Sequence, residues 1–446
     1  MNAAGLPRAQ LLAYAAGLFG WSLTSYSVAN LLVYFYMPPQ TGAPVFPNYI
    51  YQGAVLGILT IVGILSAAGR LFDAVIDPVV ANWSDRKKSG MGRRRWFLAV
   101  SAVPFAFAAC MVFFPITETG SAANTAWLCL WLLLYYFFFT LYYIPYTALI
   151  AELGHTADER LRISTAISIT WALGFIAGNS LYALQGWFET RGMLPVTAFQ
   201  SSLLLLSGLG LLGLLIPVFF LRENRYAKQQ ATETPLVAAL QTVFRNKNFR
   251  FFLLSDLMYW LALSFIQLGV GFYVTIQLNL DKSYAFVFSL LSFFCSFIFY
   301  WPLNVLARKT GKKRLLNAAF GAFALLFFVL AIARRIPAAP EVLLYALGIA
   351  AAFPLAVFGI LPNALIGDVV EREGPELAGM FYGLRAFVMK VGIAGANLIF
   401  PSLLLLGKSA DNPAGVQATA WSALLFCAGG WYFFSKYREN PPEITP

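Results

Sequence analysis

The stretch "RLFDAVIDPVVANWSDRKKSGMGRRRWFL", residues 70–98, changes character halfway along. Its first half is apolar except for Arg70, Asp73 and Asp77, whereas its second half packs six basic residues between Arg86 and Arg95. An apolar segment that runs into a Lys/Arg-rich loop reads as a helix leaving a bilayer on the cytoplasmic side. Three charges inside its apolar half then require an explanation.

The rest of the 446-residue chain agrees with a bilayer setting: 59% of residues are hydrophobic and 11% are charged, where a soluble domain carries about a quarter charged residues. Apolar runs of about twenty residues recur along its length, each long enough to cross a hydrocarbon core as a helix. The first of them, inside "MNAAGLPRAQLLAYAAGLFGWS", has no short apolar region followed by a small-residue cleavage site, so it reads as a retained helix. Cys110, Cys129, Cys295 and Cys427 stand singly in apolar runs, which points to packing rather than to a metal or a disulfide.

Hydropathy and turn punctuation give about twelve spans, near 10–37, 50–83, 96–115, 125–152, 162–186, 200–221, 249–278, 284–307, 314–333, 341–367, 379–406 and 416–435. The 2–3, 6–7 and 8–9 connections are rich in Lys and Arg, and the alternate ones are poor in them apart from Arg334 and Arg335. Both termini are therefore expected on the cytoplasmic side of a plasma (bacterial inner) membrane. The net charge of +11 follows from this asymmetry and calls for anionic lipid headgroups rather than a nucleic acid.

Short echoes suggest an internal repeat. "ALIAE" (148–152) closes span 4 as "ALIGD" (364–368) closes span 10, and "GFIAGN" (174–179) in span 5 returns as "GIAGAN" (392–397) in span 11. The expected organisation is an all-α integral membrane protein of two pseudo-symmetric six-helix bundles, 1–221 and 249–446, joined by a cytoplasmic linker at 222–248. Membrane repeats of this kind usually hold a site near the midplane at their interface.

Charges well inside the spans are Arg70, Asp73 and Asp77 in span 2, Asp256 in span 7, and Arg385 and Lys390 in span 11. Each ion at a helix centre costs about 2.5–3.5 kcal/mol on insertion scales, so these groups are expected to face inward and find partners. At 100° per residue Arg70, Asp73 and Asp77 fall within about 60° of one another, a polar stripe roughly 10 Å long. Pro78 has no N–H, so the Ala74 carbonyl loses its helical donor and is available to a cation or side chain. Two carboxylates and a carbonyl make an oxygen cage suited to a hard ion such as Na⁺, without excluding H⁺. The alternative is a static ion network that locks helices together. Asp256 near its helix end, Arg385 rotated about 140° from Lys390, and Glu152 and Asp368 at helix ends complete the set. Glu152 and Asp368 with Asp85, Arg86, Arg93 and Arg160 form a candidate cytoplasmic gate.

The 70–98 segment resembles the glycoside-pentoside-hexuronide:cation symporters of the melibiose-permease type, a branch of the major facilitator superfamily. "YAAGLFGWSL" (14–23), "IPYTALIAELGHTADER" (144–160) and "GMFYGLRAFVMKVG" (379–392) extend the resemblance over nearly the whole chain. It implies that Asp73 and Asp77 bind the coupling cation beside Lys390. Sugar-transporting members place acidic residues in spans 1 and 4 and an arginine in span 5 at the substrate, and the matching residues here are Ser22, Tyr143 and Ser168. The charged grip on sugar hydroxyls is therefore missing from those positions. Tyr26, Ser22, Tyr143, Tyr146, Trp171, Asn179 and Asp256 remain as substrate-binding candidates that stack or hydrogen-bond.

The expected function is cation-coupled symport, by Na⁺ or H⁺, of a small solute such as a sugar or glycoside, by a monomer without cofactors. The second reading is a cation-coupled carrier of lysophospholipids or other amphiphiles, suggested by the aromatic runs of spans 1 and 4. A non-transporting sensor is expected to carry a soluble output domain, and the tail "SKYRENPPEITP" is short. An enzyme is disfavoured: His155 reads as a solvated turn residue, and no nucleophile elbow, P-loop or H-E-x-x-H is present.

Overall fold

Each apolar run becomes helix because a backbone in hydrocarbon must satisfy its own N–H and C=O groups. The computed structural model describes residues 6–40, 46–227, 246–373 and 378–438, without the side chains at 157, 300, 301, 304, 308, 367, 368, 370–373, 378 and 379. In chain order the helices are α1 (Arg8–Tyr26), extended by a π-helical turn (Ser27–Leu31) into α2 (Leu32–Tyr36), α3 (Ile61–Arg86), α4 (Arg93–Met111), α5 (Ala122–Leu153), α6 (Ala157–Asn179), α7 (Leu181–Glu189), α8 (Pro195–Phe220) and the short α9 (Glu223–Tyr226). There follow α10 (Lys247–Phe272), extended by a second π-helical turn (Tyr273–Gln277), then α11 (Tyr284–Thr310), α12 (Lys312–Ile332), α13 (Pro340–Glu373), α14 (Ala378–Leu403) and α15 (Ala414–Lys436). Eight helical stretches among the described residues are long and apolar enough to cross a membrane by length and composition. With Arg70, Asp73 and Asp77 inside it, α3 falls outside that set.

The chain divides into two compact units, Met1–Thr232 and Glu233–Pro446. Within the first, α1 packs on α6 and α8, α5 on α3 and α4, and α4 on α8. Within the second, α10 packs on α14 and α15, α13 on α11 and α12, and α12 on α15. The two pairing schemes superimpose when span 1 is matched to span 7, span 2 to span 8, and so on. The repeat heard in "ALIAE" and "ALIGD" is thus a repeat of packing. The π-helical turns extend it, since they sit at the same place in spans 1 and 7; such turns interrupt regular helix and recur at functional positions.

Span 2 differs from its sequence-based limits. Residues 50–60 are not helical: Val55 and Leu59 form an isolated β-bridge, Leu56 and Gly57 take positive φ of 53° and 85°, and α3 starts only after Thr60, whose side chain accepts from the Gly63 N–H at 3.2 Å. Hydropathy registers the apolar Val55, Leu56, Ile58 and Leu59 but not the turn and cap that stop them joining the helix. Span 5 is likewise broken at Ser180, which separates α6 from α7.

Candidate functional site

The charged stripe of α3 lies against α5. The α3 backbone meets an α5 side chain at Gly69, where an added Cβ would stand 2.5 Å from the Tyr136 ring, and about three turns further along Val80, Phe97 and Leu141 form a buried cluster joining α3, α4 and α5. Packed this way, Asp73 is 0% exposed. Its Oδ2 accepts from Arg70 Nη1 at 3.3 Å, and its Oδ1 accepts from the Thr140 hydroxyl of α5. The Arg70 guanidinium in turn lies over the Phe139 ring, 5.4 Å from its centroid. Asp77, one turn beyond Asp73, is partly buried, and the buried Ala74 carries the carbonyl that Pro78 leaves without a helical donor.

A carboxylate buried in a membrane helix is expensive unless hydrogen bonds and a cation compensate it. Asp73 has a hydroxyl donor and a guanidinium, and the carboxylates, the Thr140 hydroxyl and the Ala74 carbonyl on this stripe are all oxygen ligands. Among the described residues no group of three or more His, Cys, Asp or Glu side chains is arranged to hold a metal. Oxygen donors of this kind are ligands for hard ions.

The aromatic candidates separate into two groups. Tyr26 donates to Asn179 Oδ1 at 2.6 Å, Ser22 donates to the Trp171 carbonyl at 2.8 Å, and Tyr14 and Tyr146 each donate to the other's backbone carbonyl, at 2.7 and 2.6 Å, with rings stacked at 4.4 Å. These contacts bind α1 to α5 and α6, and all but Trp171 are buried. Tyr143 stands apart: partly buried, it stacks on Trp21 at 4.4 Å, and Trp21 also meets Phe139 at 4.7 Å. Tyr143 therefore sits beside the aromatic ring that carries Arg70. Trp171 is partly buried and stacks on Phe175, and Ser168 is exposed.

In the second unit Asp256 and Arg385 find each other. Arg385 Nε donates to Asp256 Oδ2 at 3.0 Å and Nη2 to Oδ1 at 3.2 Å, while Nη1 donates to Asn363 Oδ1 at 2.6 Å. Lys390 is buried on α14.

At the end of the first unit that carries the basic loop, the three arginines opening α4 gather four other elements. Glu152 Oε1, closing α5, accepts from Arg93 Nη2 at 2.8 Å and from Arg94 Nε at 2.9 Å. Arg94 also reaches Ser84 and Asp85 at the end of α3. Arg95 donates to the Val218 and Phe219 carbonyls at the end of α8. Glu223 of α9 accepts from the Arg94 and Arg95 backbone N–H groups at 3.0 and 2.7 Å. Burial pushes the Glu223 carboxyl above its ordinary range, opposed by those two hydrogen bonds. Arg86 and Arg160 are exposed, and the Asp368 side chain lies outside the described residues.

With this geometry in place, the sequence relationships can be read. Residues 13–428 match the family model described as MFS/sugar transport protein. The chain belongs to that family. The family consists of transporters, and its members are multi-pass membrane proteins rather than enzymes. The putative glycoside/cation symporter YagG of Escherichia coli K12 is 25% identical over 443 residues, covering 96% of this chain and 90% of that protein. The symporter YnaJ of Bacillus subtilis 168 is 25% identical over 451 residues, covering 93% and 88%. Among solved structures, the D-xylose-proton symporter matches at a TM-score of 0.68 with 16% identity, over 97% of both chains. The nucleoside transporter NupG matches at 0.68 with 14% identity, over 97% of this chain and 100% of its own. At such identities the structural matches establish the major facilitator fold alone.

For this MFS/sugar transport protein, reasoning from sequence passed over Thr140, Arg94, Trp21 and Glu223. Thr140 is one hydroxyl within the aromatic run "LYYFFFTLYYIPY", and its spacing from Asp73 carries no periodic signal. Arg94 was legible only as one member of a basic triplet, and Trp21 as the neighbour of Ser22. Glu223 reads as a linker charge until the fold brings α9 against α4.

Proposed function

We propose that this chain is a cation-coupled symporter of small hydroxylated solutes of the sugar or glycoside kind. The observation that carries the reading is Asp73: a fully buried carboxylate bonded to Arg70 and Thr140, one helical turn from Asp77. In this reading the cation, Na⁺ or H⁺, is taken up at Asp73 and Asp77 with the Ala74 carbonyl as a further ligand, and Arg70 is the internal cation it competes with. Relief of the Asp73–Arg70 attraction on cation uptake frees the guanidinium and alters the surface formed by Phe139, Tyr143 and Trp21. Solute contacts are assigned to Tyr143 and Trp171, with Ser22, Tyr26, Tyr146 and Asn179 holding α1, α5 and α6 in register around them.

Symport by alternating access draws on the ion gradient and on the membrane potential, which supplies about 2.3 kcal/mol per charge per 100 mV. Linkage requires that cation and solute each raise the other's affinity by one common factor. The arginine cluster of α4 with Asp85, Glu152 and Glu223 is assigned to the cytoplasmic gate of a monomeric carrier in the bacterial inner membrane, its termini cytoplasmic, with anionic lipid headgroups against its exposed basic loops.

The test is solute uptake into proteoliposomes under imposed Na⁺ and pH gradients, with the wild type, Asp73→Asn and Asp77→Asn. The expected result is gradient-driven accumulation in the wild type and only downhill exchange in the variants. Accumulation that survives both substitutions would refute the cation assignment.

A further inference from the structure

Ser22, Tyr143 and Ser168 of the first unit are uncharged and form no charged pair able to grip hydroxyls. The second unit does hold one. Asp256 on α10 and Arg385 on α14 are joined at two points, 3.0 and 3.2 Å, and Asn363 on α13 accepts a third bond from the same guanidinium at 2.6 Å. Three helices thus converge on one planar cation. Asp256 lies nine residues past the start of α10 and Arg385 seven past the start of α14, about two turns in from the ends where those helices begin.

The Arg385 side of the pair is open while Asp256 is buried. Asn363 and Gly383 are exposed, nothing lies within 4 Å of where a Cβ on Gly383 would sit, and the Arg385 side chain keeps 14% of its surface against 2% for Asp256. Ionisable side chains in membrane segments face the bundle interior or a water-filled cavity rather than lipid, which is the side from which a solute would reach Arg385. A guanidinium has five N–H donors in a fixed fork, of which Asp256 and Asn363 take three. The two N–H donors that remain on the Nη groups match the oxygens of two neighbouring hydroxyls, both accepting from Arg385 while Asn363 and the buried Asp256 hold the fork in place. As a lock between helices the pair would be a poor choice, since buried ion pairs stabilise less than apolar packing of the same volume.

We propose that the Asp256–Arg385 pair, oriented by Asn363, is a solute-binding grip for vicinal hydroxyls, carried by the C-terminal unit of this transporter. The assignment rests on the reading of the chain as a carrier of hydroxylated solutes, and it gives that reading a specificity determinant: preference for a cis or trans diol over its deoxy analogue.

The experiment measures binding of 4-nitrophenyl β-D-glucopyranoside, β-D-galactopyranoside and β-D-xylopyranoside, and of their monodeoxy derivatives, to the purified full-length chain by isothermal titration. The wild type is compared with Asp256→Asn/Arg385→Gln and with Asn363→Ala, and melting temperature serves as the folding control. The expected wild type prefers a parent glycoside over one of its deoxy derivatives by roughly 10- to 100-fold, the size of a charge-assisted hydrogen bond, and the double variant discriminates less than about threefold between the same two probes. The Asn363→Ala variant, which only loosens the arginine, loses about three- to tenfold in affinity for the parent. A folded double variant that keeps the wild-type discrimination overturns the grip while leaving the carrier reading intact. Should the double variant fail to fold, unchanged affinity in Asn363→Ala overturns it instead. A wild type that binds none of the glycosides overturns the solute class of the carrier, and this grip with it.

Discussion

The carboxylate of Glu223 caps the start of α4 from a distance of 129 residues in sequence, Oε1 accepting from the Arg94 N–H at 3.0 Å and Oε2 from the Arg95 N–H at 2.7 Å. The first turn of a helix presents N–H groups that no intrahelical carbonyl reaches, and Gly92, the residue before α4, has no side chain to meet them. A Cβ on Gly92, held at φ 110°, would stand 2.3 Å from a Glu223 oxygen, so glycine serves both the backbone and the incoming acid. The same short helix is stitched to the rest of the first unit by Asn224 Nδ2 on the Gly90 carbonyl at 2.7 Å and by the Tyr226 carbonyl on His155 Nε2 at 2.9 Å.

Replacing Glu223 by Ala leaves two buried N–H groups without acceptors and is expected to lower stability by about 1–2 kcal/mol, with Glu223→Gln intermediate. The pH dependence has an unusual sign for a carboxylate. Burial raises the folded-state pKa of Glu223 above its ordinary 4.5, so the folded chain holds this proton more tightly than the unfolded one. The group's contribution is fully present below 4.5 and is lost as pH rises through the elevated value. Melting curves against pH should therefore fall more steeply above 4.5 in the wild type than in Glu223→Gln. Parallel curves would show that the carboxyl titrates as a solvated one.

Thr140 tests whether Asp73 is held ready for a cation. Thr140→Val keeps the shape and removes the hydroxyl that donates to Asp73 Oδ1, and this is expected to weaken Na⁺ binding about tenfold, or to tighten proton binding where H⁺ is the coupling ion, whereas Thr140→Ser leaves either near wild type. The measurement is the midpoint of cation-dependent thermal stabilisation. Equal midpoints for Val and wild type would mean that the hydroxyl plays no part in the ionised state.

What could be read in advance divides by range of interaction. The membrane helices, the basic loops and the Arg70–Asp73–Asp77 stripe depend on hydropathy and helical period, which act over a few turns, and apart from the 50–60 segment and the break at Ser180 the helices stand close to where those patterns place them. The bonds from Tyr26 to Asn179 and from Glu223 to Arg94 join residues more than a hundred apart and leave no local trace. Arg385 illustrates the boundary: its rotation away from Lys390 was legible from spacing, but Asp256 and Asn363 as its partners required α10, α13 and α14 to be packed together. The non-helical 50–60 segment escaped because its exposed Leu56 and Ile58 carry the same hydropathy as a buried residue.

Arg94 is expected to resist its closest substitute. Its guanidinium serves Glu152, Asp85 and Ser84 at once, a fork that the point charge of lysine cannot reproduce. Arg94→Lys should therefore cost about 2–3 kcal/mol because Glu152, itself nearly buried, is left under-compensated. Arg86→Lys, at the exposed last residue of α3, should change stability by less than about 0.5 kcal/mol. Chemical denaturation of both variants in one detergent separates a specific hub from a generally basic loop.

Gly69 offers a test of the approach between α3 and α5 that leaves every polar group in place. An added methyl would lie 2.5 Å from Cδ2 and Cε2 of Tyr136, so Gly69→Ala must push α3 and the ring apart. Overpacking of this kind costs about 1–3 kcal/mol. Its further effect is on reach: Thr140 lies on the same helix as Tyr136, one turn along, and its hydroxyl meets Asp73 only at the present spacing of the two helices. Gly69→Ala should therefore shift cation binding in the direction of Thr140→Val as well as lower stability, and the smaller Tyr136→Phe should do neither, since the phenol oxygen is not part of the close contact at Gly69. Combining Gly69→Ala with Tyr136→Ala restores the space, and recovery of cation-dependent stabilisation in that double variant is the outcome expected if helix spacing, rather than the glycine itself, holds the carboxylate in position. Failure to recover would place the effect in the backbone of α3.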